Sequence, residues 1–182
     1  MNSATKNLED DHVYVLKLID IMETMTQSSE PVVSDLEEAV EIIKNFADGL
    51  HHAKEETLLF PLMAERGFSL KQGPVLMMLQ EHTLGRNFVK EMTENIDLFK
   101  EGDLSALALV YQNMLGYGEL LRNHISKENN VLFRMADNAL SENDQQTLIG
   151  KFLKIESSGL PNNQKKDFIE RIEMLNQAYN PS

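Results

Sequence analysis

The chain has no cysteine and no tryptophan, and aromatic residues make up only 7% of it. Without cysteine there can be no disulfide framework, no zinc–thiolate site and no iron–sulfur ligation through cysteine, so any metal must be held by His, Asp or Glu. Positive charge is scarce as well: 17 basic residues against 29 acidic ones leave a net charge of −12, with no clustered Lys/Arg face. That balance argues against nucleic acid or an anionic membrane as a partner and makes cations the natural small partners. No stretch approaches the roughly 18 apolar residues of a membrane span. The opening MNSATKNLEDDH lacks the basic and apolar regions of a signal peptide. A soluble, cytoplasmic protein is expected.

What is present is helical. The 182 residues are 42% apolar, enough to bury a core. Their apolar positions recur at three and four, and nothing alternates as a strand would. A first helix is expected from about Asn7 to Thr26, ending in the breaker SSEP. A capping box of Ser34 with Glu37 opens a second, with Leu36, Val40, Ile43, Ala47, Leu50, Leu58 and Leu62 inward and Gly67 as its stop. Pro61 should kink or shorten its last turn. The third starts near Pro74 and runs to Lys100; the fourth begins after Asp103 and reaches roughly Asn138. Short connections between four such helices imply an all-α, up-down-up-down four-helix bundle over residues 1–138. Residues 139–182 read as a C-terminal helical extension packed on the same domain. Within it Ser141 and Asp144 open one helix to about Glu156, the breaker SSGLPNN comes next, and a second helix runs from about Gln164 to Ala178.

The histidines fall where the apolar stripes fall. His12 lies between Leu8, Val15, Leu16 and Ile19, and His82 lies one or two turns from Val75, Met78, Val89 and Ile96. His124 and Glu128 share a face with Val110, Tyr117, Leu121, Val131 and Met135. The stretch LHHAKEETLLF offers two pairs at helical spacing, His51 with Glu55 and His52 with Glu56, and at about 100° per residue only one can face the interior. The stripe favours His51 and Glu55, and a repeat agrees: HHAKEETLLF aligned on NHISKENNVLF sets His51 over His124 and Glu55 over Glu128. His52 and Glu56 are then expected on the outer face, solvated or against the C-terminal helices. If an apolar stripe covers about a third of a helix, four of five histidines inward is roughly a one-in-twenty coincidence. Buried glutamates on those faces demand a cation or a partner. Four imidazoles and two carboxylates exceed the needs of one tetrahedral zinc and suit two carboxylate-bridged metals, by ligand type iron before manganese or zinc.

These residues, His12, His51-x-x-x-Glu55, His82 and His124-x-x-x-Glu128, resemble the haemerythrin-like, HHE cation-binding family, and KEETLLFP, LQEHTLGR and LLRNHISKENNVLF read like its signatures over about residues 7 to 138. The resemblance implies a four-helix bundle around two non-haem iron ions with an oxo or hydroxo bridge. Glu55 and Glu128 would bridge, and the four histidines would be terminal ligands. The oxygen carriers of the family have H-x-x-x-H on the third helix; here His82 is followed by Arg86, which cannot ligate. Each iron would then keep an open position. The six-ligand set resembles the iron-centre repair proteins linked to nitrosative stress, which usually add a cysteine-bearing N-terminal domain without counterpart in these residues. Arg86 is a candidate to hydrogen-bond a bound peroxide or a glutamate, or simply to reach an acidic rim. Tyr117 is a candidate to meet a bound oxygen species. Glu9 and Asp48, three residues before ligand histidines, could hold imidazole N–H groups. Glu9 with His12 also makes one E-x-x-H, but the ferritin-like architecture wants two. The ten methionines read as core filler. Two functions are expected. One is binding or reduction of a diatomic or peroxide oxidant, with an electron donor as a further partner; the other is a non-enzymatic iron- or oxygen-responsive module. The oligomeric state is not legible.

Overall fold

The computed structural model describes residues 3–157 and 164–180; the SSGLPNN breaker, past its first serine, lies outside them. Among the described residues there is no strand. Helix α1 spans Ala4–Met25, with Ser3 capping its first turn by accepting from the Lys6 amide. Helix α2, residues 33–65, is α-helical over Val33–Ile42 and Phe60–Glu65 and carries two π-helical stretches between them, Ile43–His52 and Glu55–Leu59. Helix α3 is Gly73–Lys100. Helix α4, residues 106–139, joins α-helical Ala106–Lys127 and Phe133–Ala139 through a third π turn, Glu128–Leu132. Helices α5 (Glu142–Ser157) and α6 (Gln164–Tyr179) complete the chain.

Several local signals act as expected. Gly67 and Gly102 sit at φ 96° and 105° just past α2 and α3, where a left-handed residue ends a helix cheaply. Ser141 and Asp144 cap each other's amides at the start of α5. The Ser34–Glu37 box does not form: α2 begins two residues early behind Val32, with no side-chain cap.

Cross-helix contacts fix the topology. Asp11 meets His51 and Asn7 meets Lys54, so α1 and α2 are antiparallel. Asp48–Arg86 with Glu37–Lys100 reverses α3 against α2, and His124–Glu81 with Gly116 against Phe88 reverses α4 against α3. Thr5–Asp137 and His12–Asn129 close α4 back on α1. The result is the up-down-up-down four-helix bundle. Helix α6 lies along α1, tied by Lys17–Glu173 and Thr24–Asn180.

The core comes in two parts. One cluster holds Val15, Ile19, Ala47, Leu50, Val89, Leu121 and Ile125 with Phe168 and Ile172 from α6. The other holds Leu8, Leu59, Phe60, Val75, Met78, Leu132 and Phe133 with Leu148 and Phe152 from α5. Each such side chain contributes about 1.5–3 kcal/mol by leaving water. Every bundle helix passes from one cluster to the other at its histidine, so the interior is crossed by a polar layer.

The π turns set which residues face that layer. Hydrogen bonding to the fifth residue widens the turn and slips the helix phase, so regular α-helical spacing misplaces the residues beyond it. Val131 and Met135, expected inward, are exposed, and Leu132, Phe133 and Ala136 are buried in their stead. In α2 Leu59, Phe60 and Met63 are buried, while Leu58 and Leu62 are only partly so.

Candidate metal centre

All five histidines are buried, His52 included. The expectation that His52 and Glu56 face outward is therefore corrected for His52. Ile43–His52 is π-helical, the angle between neighbours narrows, and both His51 and His52 turn inward. Glu56 stays at the rim but acts on the layer, because it accepts from His82 Nδ1 at 2.7 Å.

Each imidazole is held from behind in the same way. His12 Nδ1 donates to Asn129 Oδ1 (2.7 Å), His51 Nδ1 to Asp11 Oδ2 (3.3 Å), His52 Nδ1 to Asp48 Oδ1 (3.2 Å) and His124 Nδ1 to Glu81 Oε2 (2.9 Å). A carboxylate or amide oxygen can only accept, so in the neutral imidazole these partners place the proton on Nδ1 and leave Nε2 a bare lone pair. The Nε2 atoms converge: His12 on His51 at 3.0 Å and His82 on His124 at 3.2 Å.

Two carboxylates fill the same space. Glu55 Oε2 lies 3.5 Å from His82 Nε2 and 3.7 Å from His51 Nε2. Glu128 Oε2 lies 3.2 Å from His12 Nε2 and 3.3 Å from His124 Nε2. All four carboxylate oxygens of Glu55 and Glu128 are buried without a hydrogen-bond partner. With the imidazole protons on the far side, lone pairs face lone pairs, an arrangement that only shared protons or cations relieve. Burial and the charge of Glu128 push the Glu55 carboxyl well above the usual range. Burial pulls the His51 imidazole down to about 4, helped by neighbouring His12 and resisted by Asp11.

The donors fall into two groups, His52, Glu55, His82 and His124 in one and His12, His51 and Glu128 in the other; within each, ligand atoms lie within 4.8 Å of one another. The six residues expected from the sequence are thus brought together on four helices, with His52 added. Nitrogen and oxygen donors with nothing soft among them fit a pair of hard or borderline divalent ions.

The surrounding residues were only partly foreseen. Asp48 does hold an imidazole, but that of His52 rather than His51. Glu9 pairs instead with Arg134. Asp11, Asn129, Glu56 and Glu81 carried no visible signal, since each acts across to another helix or, like Glu56, was assigned to the outer face. Arg86 sits on the acidic rim, donating to Asp48 at 2.9 Å and to Glu56 at 2.6 Å, and so steadies the acceptors of His52 and His82 from outside. Tyr117 is buried along a cavity of about 380 Å³ between α2, α3 and α4, shared with Ile43, Val89 and Arg86, that ends on His52 and His82. Burial and then the Asp48 charge raise its phenol above the ordinary range.

A fully buried ammonium backs the other side. Lys54 Nζ donates to Asp11 Oδ2 (2.5 Å), Asn7 Oδ1 (2.8 Å) and Glu156 Oε1 (2.9 Å). Lys165 of α6 reaches Asp11 Oδ1 at 2.6 Å and Glu156 at 3.2 Å. Asp11, the acceptor for His51, is thereby gripped by Lys54 of α2 and Lys165 of α6, and Glu156 of α5 holds both lysines. Burial alone would raise its carboxyl, but the His51 hydrogen bond and the Lys54 and Lys165 charges hold it well below the usual range.

No helix among the described residues is long and apolar enough to cross a membrane. No solved structure matches the chain. The iron-sulfur cluster repair proteins YtfE of Yersinia pestis (strain Pestoides F) and Yersinia pseudotuberculosis (serotype O:1b, strain IP 31758) are 34% identical to it over 89 residues, 47% of this chain and 40% of each of theirs. The chain thus spans well under half the length of those relatives. The sequence model of the hemerythrin HHE cation binding domain matches residues 3–136, a span that holds every histidine and both buried, unpartnered glutamates of the layer. With that match over a bundle whose four helices each bring histidine to one buried layer, the chain belongs to the hemerythrin HHE cation-binding domain family.

Proposed function

We propose that Glu55 and Glu128, with the histidines of the layer, would hold two iron ions, and that the protein binds or reduces a small oxidant, dioxygen, peroxide or nitric oxide. The observation that carries this reading is the set of four buried, unpartnered carboxylate oxygens facing imidazole Nε2 atoms. Two such carboxylates offset the charge of two divalent ions in a low-dielectric interior. The mixed imidazole and carboxylate donors suit iron, and the name of the YtfE relatives favours it over manganese or zinc. Bound iron would supply Lewis acidity and electrons.

The chain supplies orientation and exclusion. Five back-side acceptors fix the imidazole tautomers and ring planes. The two apolar clusters keep bulk water from the layer above and below, and the Tyr117-lined cavity gives an approach as far as His52 and His82. No side chain here is placed as a nucleophile, and reduction would draw on an external electron donor. A second reading, an iron- or oxygen-responsive module without turnover, is favoured by the Asp11–Lys54–Glu156–Lys165 network, which ties His51 to helices at the surface.

Metal analysis of protein purified without added metal, followed by anaerobic loading with ferrous iron and exposure to oxidant, tests both. Two irons per chain with consumption of peroxide or nitric oxide is the expected result. Reversible spectral change without consumption selects the second reading, and failure to take up iron sinks the two together.

A further inference from the structure

We infer that His52 is itself a metal ligand, the fifth imidazole of the centre, and that the two ions are consequently unequal. The inference rests on the two-metal reading and deepens it. Its first support is that His52 is built like the other four: buried, with Nδ1 donating to a side-chain oxygen of another residue, here the Asp48 carboxylate, which Arg86 holds in turn. A histidine that only filled core would not need its tautomer set by a charged acceptor itself anchored from another helix.

The second support is where the ring goes. His52 stacks on His82 with centroids 3.8 Å apart and planes 18° from parallel, so two imidazoles run side by side into the same space. Its donor atom lies within 4.8 Å of those of Glu55, His82 and His124. Ligands bound at about 2.0–2.2 Å from one ion cannot be further apart than roughly 4.4 Å, so a small closure brings all four onto a single cation.

The third support is what stands where another ligand could have come from. One turn after His82, α3 presents Arg86, which has no lone pair to give. Arg86 turns outward and grips Asp48. The imidazole that α3 does not offer is delivered from α2, because the π-helical Ile43–His52 segment turns two adjacent histidines inward. One ion then has His52, His82 and His124; the other has only His12 and His51. Positions for an exogenous ligand are concentrated on the second ion and not shared equally, as the six-residue set implies.

The test uses the cobalt(II)-loaded full chain, whose ligand imidazole N–H protons appear as solvent-exchangeable, paramagnetically shifted proton NMR signals. His52→Phe keeps the ring stack on His82 and removes the donor atom; His52→Gln serves if the phenyl ring disturbs folding, which circular dichroism reports. One exchangeable shifted signal fewer than in the parent protein is expected, with at least about tenfold weaker binding of one of the two cobalt ions. An unchanged set of signals with unchanged affinities would overturn the ligand role of His52 alone. Absence of shifted signals in the parent protein would instead overturn the two-metal reading on which it stands.

Discussion

Glu55 shows how far a single residue departs from what stability alone would choose. It is fully buried, neither oxygen is hydrogen-bonded, and Glu128 stands beside it. Its folded-state pKa is raised above the unfolded value, by burial and then by the Glu128 charge. A raised carboxyl contributes its full stability below the unfolded value, near 4.5, and loses it as pH rises through the folded one. The Glu55 contribution to the stability of the metal-free protein should accordingly fall as pH climbs above about 4.5, against the gain from His51, whose depressed imidazole adds stability as pH rises towards about 6.5. Bound cations should abolish the Glu55 loss by replacing the proton. Glu55→Gln is expected to stabilise the metal-free chain at pH 7 by roughly 1–3 kcal/mol, since an amide can donate to Glu128 where a carboxylate repels it. The same variant should retain less than one ion per site. Urea unfolding of metal-free protein at pH 5 and pH 8 checks this; a Gln variant less stable at pH 8 contradicts it.

Among the elements, the π-helical stretches decide how much can be read without a structure. A Cβ on Gly49 would lie 3.1 Å from the carbonyl oxygen of Lys44, five residues back. An exposed helix-interior Gly→Ala change normally stabilises by about 0.5–1 kcal/mol. Gly49→Ala should give no such gain, because the methyl presses on the backbone of the wide turn. Relaxing the turn would rotate His52 away, so weaker binding of one metal ion is expected by titration calorimetry, with His51 contacts kept. A stabilised variant with both affinities intact would show that the turn does not depend on Gly49. The four helices, the glycine stops of α2 and α3 and the inward course of His51, Glu55, His124 and Glu128 were legible, because apolar periodicity and an internal repeat are local signals. His52, Val131 and Met135 were misplaced because a single extra residue in a turn leaves no mark in a pattern counted at 3.6. The acceptors Asp11, Asn129 and Glu81 were invisible for another reason: each does its work across a helix interface.

For the molecule as a whole, the division of the core matters more than its size. The clusters around Ile19 and Phe46 and around Phe60 and Phe133 are each well buried, and α6 and α5 cover one apiece. Between them lie five histidines and two glutamates that pack poorly without cations. Chelation should therefore lower the thermal midpoint; each ion held at 100 times its dissociation constant is worth about 2.7 kcal/mol, or about 5 to 10 °C for a chain of this length. Hydrogen exchange should quicken first around residues 51–56 and 124–129, with the two clusters protected longer. An unchanged midpoint and exchange pattern would mean that the layer is self-sufficient. Mechanically, four continuous helices touch at this layer through carboxylates that lack partners, so it is where one helix slides most easily along another. Cations bonded to all four helices would act as rivets through it, so that loading the centre converts a bundle able to shear into one that moves as a single piece.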